Sequence, residues 1–258
     1  MKVMHQLSKL AAGTAVAAIA AFAGVGLAQA DGMPGKRVVV EKPWDWGGLY
    51  FGAHAGWAWS DFDTRFESIP VPPNSWGVSH DAAIYGAQIG IQHQFGAIVV
   101  GVEGTISSAW QDNHASTVGC GIGNNAFSCG ARFDNVVTVG PRIGYAAGKW
   151  MPYITGGYAN ARFSEKAAFV GTATTFWTGS ERHSGWYIGG GVDMALGHGW
   201  TIGLEYRHYD FGDELYVPFT PAGLPVFGDR NVADVSLDTV ALRVSWKLGR
   251  PDRVVPLK

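Results

Sequence analysis

The residues able to do chemistry are few and scattered. His183-Ser184 form one neighbouring pair, and His208 and Asp210 lie close together. Nucleophilic catalysis needs a nucleophile, a base and an orienting acid at one place. Adjacent Ser and His arise often by chance, so a hydrolase is the minor reading. The eight histidines show no metal-ligand spacing. No glycine-rich stretch has the form of a phosphate loop or a dinucleotide fingerprint. No catalytic residue, cofactor or metal is expected on these grounds.

Six charges are more informative. Glu103, Arg142, Asp193, Glu205, Arg207 and Arg243 each stand in a run where polar or small residues alternate with apolar ones. Three are acids and three are arginines. Charges taken from water need opposite partners, and the planar fork of Arg matches a carboxylate. Such pairing requires a framework that gathers distant segments around one interior.

Composition narrows that framework. Gly occurs 37 times in 258 residues, about twice the ~7% of ordinary chains. Charged residues make up only 16% and aromatic residues 13%, which excludes intrinsic disorder. The glycines keep no three-residue period, which excludes collagen. A net charge of −2 advertises no basic face for nucleic acid. Mean hydropathy is +0.05, too low for a bundle of membrane helices. A membrane wall of alternating apolar and polar residues remains open.

Residues 1–30 hold Lys2 and Lys9, an alanine-rich apolar run from Leu10 to Leu27, and Ala28-Gln29-Ala30. Charged start, apolar run and small-residue site read as a cleaved secretory signal peptide. An uncleaved anchor is the rival, but the run is only just long enough to span. In an exported chain cysteines can oxidise. A disulfide closing the short loop between Cys120 and Cys129 is expected, against the alternative of two free thiols. Residues 31–45, with Pro34 and Pro43, read as a periplasmic linker, and residues 249–258 as a periplasmic tail.

Between them, residues 46–248 show period-two alternation eight times. In the first run Leu49, Phe51, Trp57 and Trp59 fall on one face and Tyr50, Gly52, His54 and Ser60 on the other. The eight runs cover 46–60, 82–95, 98–111, 132–147, 152–164, 185–196, 200–211 and 235–248. The fifth has mixed faces that the pattern leaves unassigned. The gaps alternate without exception. Tiny ones fall at Gly96, Gly148-Lys149 and Gly197-His198-Gly199, and the others are roughly twenty residues long, the contrast of short periplasmic turns and long extracellular loops. Soluble sandwiches and lipocalins have no reason to keep this rule.

Length agrees. Trp46 to Trp57 spans ~36 Å along a strand at ~3.3 Å per residue, or ~26 Å when tilted by ~45°, against an apolar band of ~25 Å. Aromatic residues collect near both strand ends, with Trp46, Phe95, Trp150, Trp200 and Trp246 on the short-turn side and Trp57, Trp59, Tyr85, Trp110 and Trp186 opposite. The expected fold is all-β: an eight-stranded antiparallel transmembrane up-and-down β-barrel with four long extracellular loops and three short periplasmic turns.

If the apolar face meets lipid, Glu103, Arg142, Asp193, Glu205 and Arg243 form one interior layer, with Arg207 and His54 a little further up. Eight strands leave an interior just wide enough for side chains to fill. A salt-bridge network that plugs the barrel is therefore expected. Mid-strand glycines such as Gly90, Gly144, Gly189 and Gly191 would leave room for neighbouring Arg or Tyr. Phe62, Trp76, Ile122, Phe127, Phe176, Trp177, Leu224 and Phe227 are assigned to the loops, where packing on one another is the favoured role.

The chain resembles the small outer-membrane β-barrel proteins of alphaproteobacteria, in the porin-like superfamily that includes the OmpA-type membrane domain and the opacity proteins. The matching stretches are Trp46-Gly-Gly-Leu-Tyr-Phe-Gly52, Gly86-Ala-Gln-Ile-Gly90, Gly101-Val-Glu103, Arg142-Ile-Gly-Tyr-Ala146, Pro152-Tyr-Ile-Thr-Gly-Gly157, Gly185-Trp-Tyr-Ile-Gly-Gly-Gly-Val192 and Glu205-Tyr-Arg-His-Tyr-Asp-Phe-Gly212. The resemblance implies a bacterial outer-membrane location far more than an activity. Family members usually end in an aromatic residue that the outer-membrane insertion machinery reads; here Trp246-Lys-Leu248 takes that place and the tail follows. Expected partners are outer-membrane lipids and lipopolysaccharide, the insertion machinery, and surface partners reached through the loops. The leading expectation is a structural, surface-exposed barrel. A narrow porin for ions or small solutes is the alternative, and a lipid-modifying enzyme the least favoured.

Overall fold

Neighbouring residues in an extended chain point to opposite faces, so alternation becomes architecture only when strands pair. In the computed structural model of the protein they do so around a closed ring. The structure describes residues 44–66, 75–110, 115–118, 127–170, 175–216 and 231–248. Its strands are β1 (Gly48–Phe66), β2 (Ser75–Phe95), β3 (Ile98–Trp110), β4 (Ala115–Val118), β5 (Phe127–Tyr145), β6 (Trp150–Phe169), β7 (Thr175–Gly197), β8 (Trp200–Tyr216) and β9 (Asn231–Leu248). All pairings are antiparallel, and the wall runs β1-β2-β3-β5-β6-β7-β8-β9. β9 then pairs with β1 from Leu49↔Leu248 to Phe66↔Asn231, which closes an eight-stranded barrel. The short β4 continues the place of β3 in the wall, pairing with the outer part of β5, Thr117 opposite Cys129.

The short connections are tight turns. Gly96 and Gly148 adopt φ of 61° and 65°, the left-handed region where a side chain is strained. At the other end the strands run further than the alternation suggested. β1 continues to Phe66 and β2 begins at Ser75, so residues 67–74 alone separate them. β6 reaches Phe169 and β7 begins at Thr175.

The cause is a change of solvent along one wall. In the lower part apolar residues face outward and polar ones inward: Leu204 out and Glu205 in, Leu242 out and Arg243 in. In the upper part the same faces exchange chemistry. Asp61 is outward and Phe62 buried inside; Arg162 is outward and Phe163 inside; Asp238 is outward and Leu237 inside. Parity holds along β1, β6 and β9, and in β5 a bulge between Phe133 and Asn135 shifts it by one residue, but in all of them lipid outside gives way to water. The sequence pattern therefore reverses sign there and reads as a loop. Phe62, assigned to a loop tip, is instead buried in β1, its ring 5.3 Å from that of Phe163. The side chains of Trp76, Phe127, Phe176 and Trp177, and all of Ile122, Leu224 and Phe227, lie outside the described residues.

β6 resolves the faces the sequence left unassigned. Met151, Tyr153, Thr155, Ala159, Ala161 and Phe163 are buried inside, while Ile154 and Tyr158 are exposed outside. Gly156 and Gly157 blur the alternation because they carry no side chain.

Candidate functional site

The lower interior is built around Glu103. Its carboxylate, on β3, has no exposed side-chain surface. Three arginines reach it. Arg207 Nη2 donates to Oε1 at 2.8 Å, Arg243 pairs with Oε2, and Arg142 Nη1 lies 3.6 Å from Oε2. Arg142 Nη2 also pairs with Asp193 at 2.5 Å, and Arg207 Nε with Glu205 at 2.8 Å, while Arg243 bridges to Glu205. All six side chains expected in the interior are buried, and the three acids balance the three arginines. Six charges from β3, β5, β7, β8 and β9 thus meet in one connected set.

The sequence singled out no aromatic partner for this set. Tyr50 on β1 donates its hydroxyl to Glu103 Oε2 at 2.7 Å. Tyr153 on β6 donates to Glu205 Oε2 at 3.0 Å, and the Arg142 guanidinium lies 3.5 Å from the centre of its ring. Desolvated guanidinium–aromatic contacts of this kind contribute about 2 kcal/mol. Arg207 adds bonds to Thr105 and Thr138 at 3.1 and 3.0 Å. With the two tyrosines, every wall strand except β2 contributes a side chain to this layer. Tyr50 was legible as an inward position of the first run, but Tyr153 was hidden in the unassigned one. Glycine provides the space: a Cβ on Gly191 would come within 2.6 Å of the Tyr153 hydroxyl.

One level up, His54 bonds Gln88 at 2.8 Å and Ser107 at 2.7 Å. Above it the interior turns apolar. The Phe163 ring is 5.3 Å from Phe62, 5.4 Å from Phe211 and 5.9 Å from Phe133, in edge or tilted geometry. Below the charges, Trp46 turns inward rather than joining the aromatic girdle and is 2% exposed. Its backbone N–H donates to Gln94 Oε1 at 2.8 Å and its backbone carbonyl accepts from Gln92 at 2.6 Å.

The residues of the hydrolase reading are not gathered. His183 faces inward against Phe163, and Ser184 faces outward and bonds Tyr158 and Asn160. His208 also faces outward, bonded to Asp238 at 2.8 Å with the Trp186 ring 6.1 Å away. Strand parity puts each Ser or Asp on the opposite wall face from its His neighbour or on a separate row. Cys129 is disulfide-bonded; Cys120, the only other cysteine of the chain, lies outside the described residues.

A closed antiparallel ring with an apolar outer band and a charged inside has a counterpart among known proteins. The profile of the "outer membrane protein beta-barrel domain" family matches residues 14–247. The chain belongs to this outer-membrane β-barrel family. The barrel is therefore an outer-membrane protein of a Gram-negative type. It is 29% identical over 178 residues to the 31 kDa outer-membrane immunogenic protein of Brucella melitensis, covering 65% of this chain and 72% of that one. It is 25% identical to the 25 kDa outer-membrane immunogenic protein of Brucella ovis, covering 69% and 76%. Among solved structures it is similar to outer membrane protein OprG from Pseudomonas aeruginosa, at 10% identity and a TM-score of 0.45, covering 78% and 97%. In the barrel's membrane setting, Trp57, Tyr85, Trp110, Tyr158 and Trp186 make the upper interfacial belt and Phe95, Tyr145, Trp150 and Trp200 the lower.

Proposed function

We propose that this protein is a non-enzymatic, surface-exposed structural barrel whose lumen is plugged. The observation that carries the reading is the convergence of Arg142, Arg207 and Arg243 on Glu103 across the interior. The phenylalanine cluster above and Trp46 below support it, because each fills the lumen at a different height. Planar-bilayer recording of the refolded protein tests it. Brief or no current is expected; stable, ion-selective steps would favour the narrow-pore alternative instead. Mass spectrometry of lipid A from a deletion strain tests the enzyme alternative, and unchanged lipid A is expected. We also read residues 1–30 as a cleaved leader, so protein isolated from outer membranes should begin at Asp31.

A further inference from the structure

Above the upper aromatic belt the outer wall is charged unevenly. Arg162 and Lys166 on β6 and Arg182 on β7 face outward. Around the ring, outward positions at similar height on β1, β2 and β9 carry Asp61, Asp81 and Asp238 instead.

Arg162 and Arg182 stand directly opposite each other in the β6–β7 ladder. Like charges in that relation repel. Arg162 Nε donates to Ser180 at 2.8 Å and Arg182 Nη1 to Asn160 at 3.0 Å. Among the described side chains neither is paired with a carboxylate. Both side chains are exposed on the outer face, and the planar fork of Arg suits a phosphate.

Height selects the partner. The pair sits four positions beyond Tyr158↔Trp186. At ~3.3 Å per residue and ~45° tilt that is ~9 Å above the belt, at headgroup level for side chains as long as Arg. Directly below, Ile154, Tyr158, Trp186 and Ile188 are exposed and offer an apolar track for acyl chains.

We propose that the Arg162–Arg182 pair is a binding site for the phosphate-bearing headgroup of an outer-leaflet glycolipid, whose acyl chains lie on the wall beneath. An anion between the two guanidiniums removes their mutual repulsion. The opposite wall, with Asp61, Asp81 and Asp238 outward, disfavours an anion there. The proposal rests on the outer-membrane location and is independent of whether the lumen is plugged.

The test uses folded full-length protein in detergent and lipid A carrying two phosphates, with bound lipid counted by native mass spectrometry. The double variant R162Q/R182Q should bind at least about tenfold more weakly, the loss expected for one or more charge-assisted hydrogen bonds. Lipid A stripped of phosphate should bind the native protein equally weakly. D61N/D81N, on the opposite wall, should bind as the native protein does. Heat-dependent gel mobility checks that each variant is folded. Unchanged binding by R162Q/R182Q, or equal binding of phosphate-free lipid, would overturn the proposal. So would displacement of the lipid by inorganic phosphate at matched concentration, or a dimer that the double variant abolishes.

Discussion

Glu103 and Arg207 lie 104 positions apart in the chain and meet at 2.8 Å in the middle of the barrel. Neither has a water-exposed route to relief, so each depends on the other's charge. Removing one member of a buried ion pair is more damaging than never having the pair.

Glu103→Gln therefore leaves three buried arginines short of one counter-charge. A loss of about 3–5 kcal/mol is expected. Urea titration in lipid vesicles, followed by tryptophan fluorescence, measures it. Adding Arg207→Met to Glu103→Leu should cost less than the sum of the single changes, since the pair then leaves together. Additive losses would mean the two side chains do not interact.

Phe163 joins Phe62, Phe133 and Phe211 in the upper lumen. Phe163→Ala should cost about 3–5 kcal/mol locally. Hydrogen exchange should rise in the outer parts of β5, β6 and β7. The lower rows around Arg142 and Asp193 should keep their protection, because lipid and the charge network hold them independently.

Trp46 fills the periplasmic mouth beneath the charges. Trp46→Ala should lower stability, by about 3–5 kcal/mol, yet add no current in planar bilayers. Steady conductance in this variant would show that Trp46, rather than the charge layer, is the barrier.

Gly191→Ala places a methyl 2.6 Å from the Tyr153 hydroxyl and against the Leu204 carbonyl. Overpacking of this kind costs about 1–3 kcal/mol. Tyr153→Phe in the same chain should recover part of the loss, read from the same urea titration. No recovery would place the strain on the backbone contact alone.

Much of this protein was legible from local chemistry. Period-two alternation is a property of adjacent residues, so the eight-stranded wall, its short turns at Gly96 and Gly148, and the common face of Glu103, Arg142 and Arg243 could be read without tertiary information. The readable part ended where the surroundings changed. Asp61-Phe62 and Arg162-Phe163 continue their strands, but with water outside the wall their alternation inverts, and an inverted pattern looks like a loop.

Glycine hid a second part. With Gly156-Gly157 in its middle, β6 offered no faces to read, and Tyr153 went unnoticed beside Arg142 and Glu205. Two adjacent residues without side chains erase the contrast on which alternation depends.

Outside β6, the sequence by itself determined which strand residues face inward across the membrane band, because lipid tolerates only one of the two faces. Only the tertiary structure decided that Arg142 takes Asp193 while Arg207 and Arg243 share Glu103 and Glu205, and that Trp46 turns into the mouth. Those choices follow from register around a closed ring: each strand's height is set by every other strand, and no single segment carries that information.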